Sequence, residues 1–86
     1  MKVMKKPIAL DAWDPTGEVP PSWALDAMSK GTISMDGETM TIKSMEGTHV
    51  PTPGAIVMKG VRGELYFCDR SIFEQTYDII EDGSLV

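Results

Sequence analysis

Two side chains in this sequence have types that suggest nucleophilic chemistry: its one histidine, His49, and its one cysteine, Cys68. A thiolate and its base act only within hydrogen-bond reach of each other, with a third group orienting the imidazole. Nothing in the spacing of His49 and Cys68 requires them to meet. Cys68 closes the apolar run Leu65-Tyr66-Phe67-Cys68, where a free cysteine packs as a small hydrophobe. A structural zinc site needs several converging Cys or His ligands, and one of each is too few. Asp36-Gly37-Glu38 and Glu81-Asp82-Gly83 are too short for a calcium-binding loop and read as turns. Gly54, Gly60 and Gly63 are not set in a strand, glycine loop and long helix, so no phosphate-cradling motif is present. The expectation is a protein with no catalytic residues, no metal and no cofactor.

Residue types suited to binding a partner are more evident. Trp13 and Trp23 flank a proline-rich loop, either stacking on its prolines or closing one end of a small core. Arg62 falls at the tip of an expected hairpin, with Lys59 and Arg70 on either side of it in sequence. Such a basic tip could meet a carboxylate or phosphate of a partner, or simply be a solvated turn. Tyr66 would join Lys59, Arg62 and Trp13 in a pocket if the fold brought the four together. Seven methionines could line an adaptable surface, but at least four fall at core positions of expected elements, where they fill gaps.

The elements that must carry these residues are short. Ile8, Leu10 and Ala12 alternate onto one face of a first strand. Asp14 to Pro21 holds three prolines and a glycine and is a loop. Ser22 is placed to cap a helix over Trp23–Ser29, which Lys30-Gly31 closes with positive charge and a residue free to turn left-handed. Thr32–Met35 and Thr39–Lys43 flank Asp36-Gly37, a hairpin signal. Ser44–Val50 continues extended, with a turn or bulge at Glu46-Gly47. The central segment is Pro53–Tyr77. There Ile56–Val61 and Glu64–Cys68 form a hairpin around Arg62-Gly63, and Ser71 with Glu74 has the form of a capping box for one helical turn. Thr76–Glu81 could continue that helix, but its β-branched and aromatic residues favour a last strand. Residues 82–86 read as a flexible tail. The sum is a small α+β domain spanning 1–86, with a curved, mostly antiparallel sheet of about six short strands, one short helix and a late helical turn.

Eighty-six residues, 42% of them hydrophobic, make one globular domain with a thin core. No run of 18 apolar residues exists to span a membrane, and the N-terminal residues lack the apolar stretch of a signal peptide. One cysteine allows no internal disulfide, so the expected place of action is inside a cell. Eight basic residues against thirteen acidic ones give a net charge of -5. That balance opposes direct nucleic-acid binding and suits a soluble protein or one docking on a basic protein surface. Exposed strand edges are templates for pairing, so a homodimer stands beside a monomer.

The chain also resembles a family of small phage and prophage proteins of unknown role. Those sequences open like Arg-Lys-Lys-Pro-Val-x-x-x-Ala and continue with Glu-Gly, then Pro-Gly-Asp-Trp/Tyr-Ile-Ile-x-Gly-Val-x-Gly-Glu-x-Tyr-x-Cys and Ile-Phe-x-x-Thr-Tyr. Here Met4-Lys5-Lys6-Pro7-Ile8 with Ala12-Trp13 fits the opening. Glu46-Gly47, Pro53-Gly54, Gly60–Glu64, Tyr66, Cys68, Ile72-Phe73 and Thr76-Tyr77 fit the remainder. Ala55 departs from the family's Asp, and Phe67 from its Pro. The resemblance implies a phage or mobile-element origin and action in the cytoplasm of a host bacterium. It carries no known activity, cofactor or binding residues. Small phage accessory proteins often bind a host protein stoichiometrically, so the implied partner is a host protein such as a defence nuclease, an anti-CRISPR being one form. A virion component or a protein that sequesters a nucleotide signal are the alternatives.

Overall fold

The computed structural model describes residues 1–4 and 6–80. Among them run six strands and two helices: β1 (Asp11–Trp13), α1 (Ser22–Ser29), β2 (Ile33–Asp36), β3 (Thr39–Ser44), β4 (Gly47–His49), β5 (Ile56–Lys59), β6 (Leu65–Cys68) and α2 (Arg70–Thr76). The α+β class and the antiparallel pairing are as the sequence predicts. The six strands divide into two three-stranded antiparallel sheets, ordered β1-β5-β6 and β2-β3-β4.

The core lies where the inner faces of both sheets meet α1. Trp13, Val57 and Phe67 stand opposite one another across the first sheet. Ile33 and Ile42 stand opposite across the second. With Ala24 and Ala27 of α1, Trp13, Val57, Ile33 and Ile42 form one cluster, against which Trp23, Met28, Met40, Leu65 and Phe67 pack. Ala24 is fully buried, and its small side chain lets the α1 backbone approach the sheets closely. Burying a side chain of the size of Val57 or Ile42 stabilises the fold by roughly 1.5–3 kcal/mol.

Local chemistry explains most of the boundaries. The end of α1 is a Schellman motif: the Thr32 N–H donates to Ala27 O (2.9 Å), the Gly31 N–H donates to Met28 O (3.1 Å), and Gly31 has φ 81°. In the β2–β3 turn the central residues are Gly37-Glu38, one position later than an Asp36-Gly37 turn. Gly37 has φ 66°, the sign that only the first central residue of a type II′ turn needs.

Five expectations are corrected. The first strand covers Asp11–Trp13, and its parity is reversed: Trp13 is buried while Ala12 and Ile8 are exposed. The larger apolar surface of Trp13 sets the register. Ser22 belongs to α1 and caps nothing. The N-cap is Pro21, which offers no side-chain cap, and its carbonyl accepts from Ala24 N and Leu25 N at 3.0 and 3.1 Å. The strand expected over Ile56–Val61 ends at Lys59, because Gly60 and the residues after it form the turn. Asp69, not Ser71, caps α2: its carboxylate accepts from the Ser71 N–H and the Ser71 hydroxyl, both at 3.1 Å. A carboxylate one residue ahead of the helix is better placed for that role than the Ser71–Glu74 box. Finally, no strand forms over Thr76–Ile80. Thr76 ends α2, and Tyr77 is its extended C-cap. The sixth strand is instead Gly47–His49, added to β3 by a two-residue turn at Met45-Glu46. Glu81 and the tail expected over 82–86 lie outside the described residues.

This packing gives a measurable contrast. Ile42→Ala empties a site that is 1% exposed and is expected to lower unfolding free energy by about 3 kcal/mol. Met45→Ala, at a side chain wholly in solvent, is expected to stay within about 0.5 kcal/mol of the parent. Urea unfolding followed by tryptophan fluorescence distinguishes the two.

Candidate functional site

A hollow of about 440 Å³ opens between the end of α1, the end of β3 and the β5–β6 hairpin. Its size falls within the range of small-molecule sites. Trp23, Ala27 and Leu65 are apolar residues of its lining, and Lys30, Lys43 and Lys59 its basic ones. Hairpin pairings position two of the lysines, and a helix positions Trp23. Lys59 ends β5 opposite Leu65, Lys43 lies opposite Thr48 near the end of β3, and Trp23 leaves the first turn of α1.

Two carboxylates also line the hollow, and both are engaged. Asp26 pairs with Lys30 at 2.9 Å, an exposed i, i+4 contact worth a few tenths of a kcal/mol. Glu64 folds back into its own turn and accepts the Arg62 N–H at 2.9 Å. Gly60 makes room for it, because a Cβ there would run into that carboxylate. Lys43 and Lys59 have no ion-pair partner among the described residues.

The residues singled out from sequence are dispersed by the fold. Trp13 is 4% exposed in the core, and its indole N–H donates to Glu18 O at 3.1 Å. It closes the core and offers no surface to a partner. Trp23 is half-buried, bridging core and hollow. Lys59 is half-buried at the hollow, and Arg62 is exposed at the hairpin turn. Tyr66 stands opposite Met58, on the sheet face turned away from Val57. The imagined convergence of Trp13, Lys59, Arg62 and Tyr66 does not form. Lys30 and Lys43 complete the basic cluster instead, and no motif spacing in the sequence marks them.

Arg70 is turned inward as a tie between three segments. Its Nε donates to Gly54 O at 2.9 Å, and its Nη2 donates to Asp14 Oδ1 at 2.8 Å and Thr16 Oγ1 at 3.3 Å. Gly54 has φ 77°, and a Cβ there would press on the guanidinium at 3.1 Å, so both backbone and space call for glycine. Asp14 Oδ1 also accepts from the Thr16 N–H and hydroxyl at 3.0 and 2.7 Å. The Arg70 hydrogen bond holds the Asp14 carboxyl below its usual range, with the Thr16 bonds adding to the effect against a smaller cost of desolvation.

His49 and Cys68 lie on different sheets. The His49 Nε2 is 2.8 Å from Ser44 Oγ, a distance suited to a nucleophile and its base. Both are exposed, and no carboxylate hydrogen-bonds the imidazole among the described residues. Ser44 Oγ also accepts the Glu46 N–H at 3.2 Å, so the contact serves the β3–β4 hairpin. Burial, and then the charge of Asp69, push the Cys68 thiol up, away from the reactive thiolate. Among the described residues no three His, Cys, Asp or Glu side chains converge as a metal would need. No helix there is long and apolar enough to cross a membrane. Ala55 is buried.

Compared with family models, with curated proteins and with solved structures, the chain matches none.

Two pH effects follow. Because the folded pKa of Asp14 is depressed, its contribution is present above the unfolded value of about 3.9 and lost as pH falls through the folded value. Thermal unfolding of Asp14→Asn is expected to lie below the parent by roughly 5 °C at pH 7, with the gap closing in acid. Burial and then Tyr77 push the Tyr66 hydroxyl up to about 12. Its neutral form therefore favours folding below pH ~10, and that contribution disappears towards pH 12. Ultraviolet titration should find a late tyrosine ionisation in the parent, and that late step should be missing in Tyr66→Phe.

Proposed function

We propose that this chain is a non-enzymatic accessory protein of a phage or mobile element that acts in the host bacterial cytoplasm by binding a basic host protein. A defence nuclease is the partner that best fits its charge, an anti-CRISPR being one form of such an inhibitor. The observation that carries the reading is the surface around α2. This helix buries none of its residues. Ile72, Ile79 and Ile80 are 56%, 72% and 80% exposed, and the exposed carboxylates Glu74 and Asp78 lie among them in sequence. Exposed apolar groups rimmed by charge mark interaction surfaces. The sign of that rim, on a chain of net charge -5, complements a basic nucleic-acid channel and would steer association towards it.

The resemblance to phage and prophage proteins supports this reading through its motifs, and it supplies the choice of host and compartment. A nuclease that must hold nucleic acid cannot avoid presenting a basic groove, so an acidic competitor has a surface to meet. The α2 surface places apolar contact area beside that charge, which gives affinity as well as steering.

Affinity capture from host lysate with the parent chain and with Glu74→Lys/Asp78→Lys tests the proposal, with retained proteins identified by mass spectrometry. The expected result is one host nuclease retained near-stoichiometrically, released by salt, and bound about tenfold or more weakly by the charge-reversed chain. Equal retention by both chains overturns the docking surface. A chain found in purified virions, with no host protein retained, overturns the function in favour of a particle component.

A further inference from the structure

The hollow at the end of α1 shares no lining residue with α2, and its chemistry is the opposite of the acidic surface proposed to dock a protein. Lys30, Lys43 and Lys59 all line it, on a chain that is acidic overall. Only Lys30 is paired among the described residues. Holding lysines together costs mutual repulsion, which an anion would relieve. The half-buried Trp23 indole lies in the same hollow, an aromatic wall on which a flat ring can stack. Thr32 lines it as well, a hydroxyl-bearing residue suited to a sugar or phosphate.

From this combination we infer that the hollow is a binding site for a small phosphorylated aromatic ligand of mononucleotide size. Lys43 and Lys59 hold the phosphate as charge-assisted donors. Trp23 stacks on the ring, and because its side chain also packs against the core cluster, the platform is already ordered when the ligand arrives. Asp26 and Glu64 do not compete for the free lysines, because one pairs with Lys30 and the other is tied into the β5–β6 turn. Asp11 stands opposite Lys59 in the strand register, yet forms no ion pair with it. The lysine is thus left for an outside anion.

Titration of the isotope-labelled full chain with AMP, followed by NMR, tests this. Adenosine and inorganic phosphate serve as separate arms. The expected outcome is saturable shifts of the Trp23 indole and of the Lys43 and Lys59 amides, with the Trp13 indole unmoved in the core. Adenosine alone and phosphate alone are each expected to bind about tenfold or more weakly, since each keeps only part of the contacts. Lys43→Gln changes an exposed side chain that the fold does not use, and it is expected to weaken AMP about tenfold while leaving thermal unfolding unchanged. Phosphate binding as tightly as AMP would show a site for free anions and overturn the aromatic component. AMP affinity unaffected by Lys43→Gln and Lys59→Gln, or shifts scattered over the surface, would overturn the site itself.

Discussion

Ile56, Val57 and Met58 of β5 are each no more than 3% exposed, although neighbouring side chains of a strand point to opposite faces. This strand is therefore buried on both sides, and it is also paired along both edges, with β1 and with β6. A backbone enclosed in this way has no water to satisfy it, so its hydrogen bonds must come from its neighbours. The pairing of β1 and β6 along its two edges follows from that demand, and the apolar surface of Trp13 then sets the register that brings it opposite Val57. Lys59, one residue beyond the buried run, is held at the rim of the hollow by the same constraint.

The second sheet is tied to the first mainly through side chains. Ile33 and Ile42 meet Val57 and Trp13 in the shared cluster, and α1 closes it with two alanines. Small residues bring the helix close, and the ring of Trp23 then fills the space beside them and reaches the hollow. Packing and binding surface are in this way parts of one side chain, so loss of the indole would be felt in both.

Charge is arranged by segment and not by the average. Arg70 ties three segments from a part-exposed position, joining Asp14, Thr16 and Gly54. Such a part-exposed pair adds little Coulombic energy on its own. Its value lies in orienting the loop after β1 and the turn before β5 relative to α2. Lys59, at the end of β5, lines the hollow, Arg62 is exposed in the turn, and the carboxylates of α2 face solvent beside exposed isoleucines. A chain with net charge -5 can thus offer one anion-seeking site and one cation-seeking surface.

The sequence by itself determined the parts that depend on neighbours along the chain. The end of α1 is legible because Gly31 is the residue that can turn left-handed there. The β2–β3 hairpin is legible from Gly37 between alternating segments, and the β5–β6 hairpin from Gly63. Where competing local signals stood close together, as with Ser71 and Asp69, the better-placed acceptor prevailed at a distance of two residues. Tertiary structure alone decided the rest. It set the parity of β1, the division into two sheets, the fate of Thr76–Ile80, and the inward turn of Arg70. The hollow belongs to the same class: Trp23, Lys43 and Lys59 come from three elements and share no spacing, since only the packing of α1 and the two sheets around one core brings them together. Local hydrogen bonding is encoded within a few residues, whereas a site built from distant strands exists only once their apolar faces have found each other.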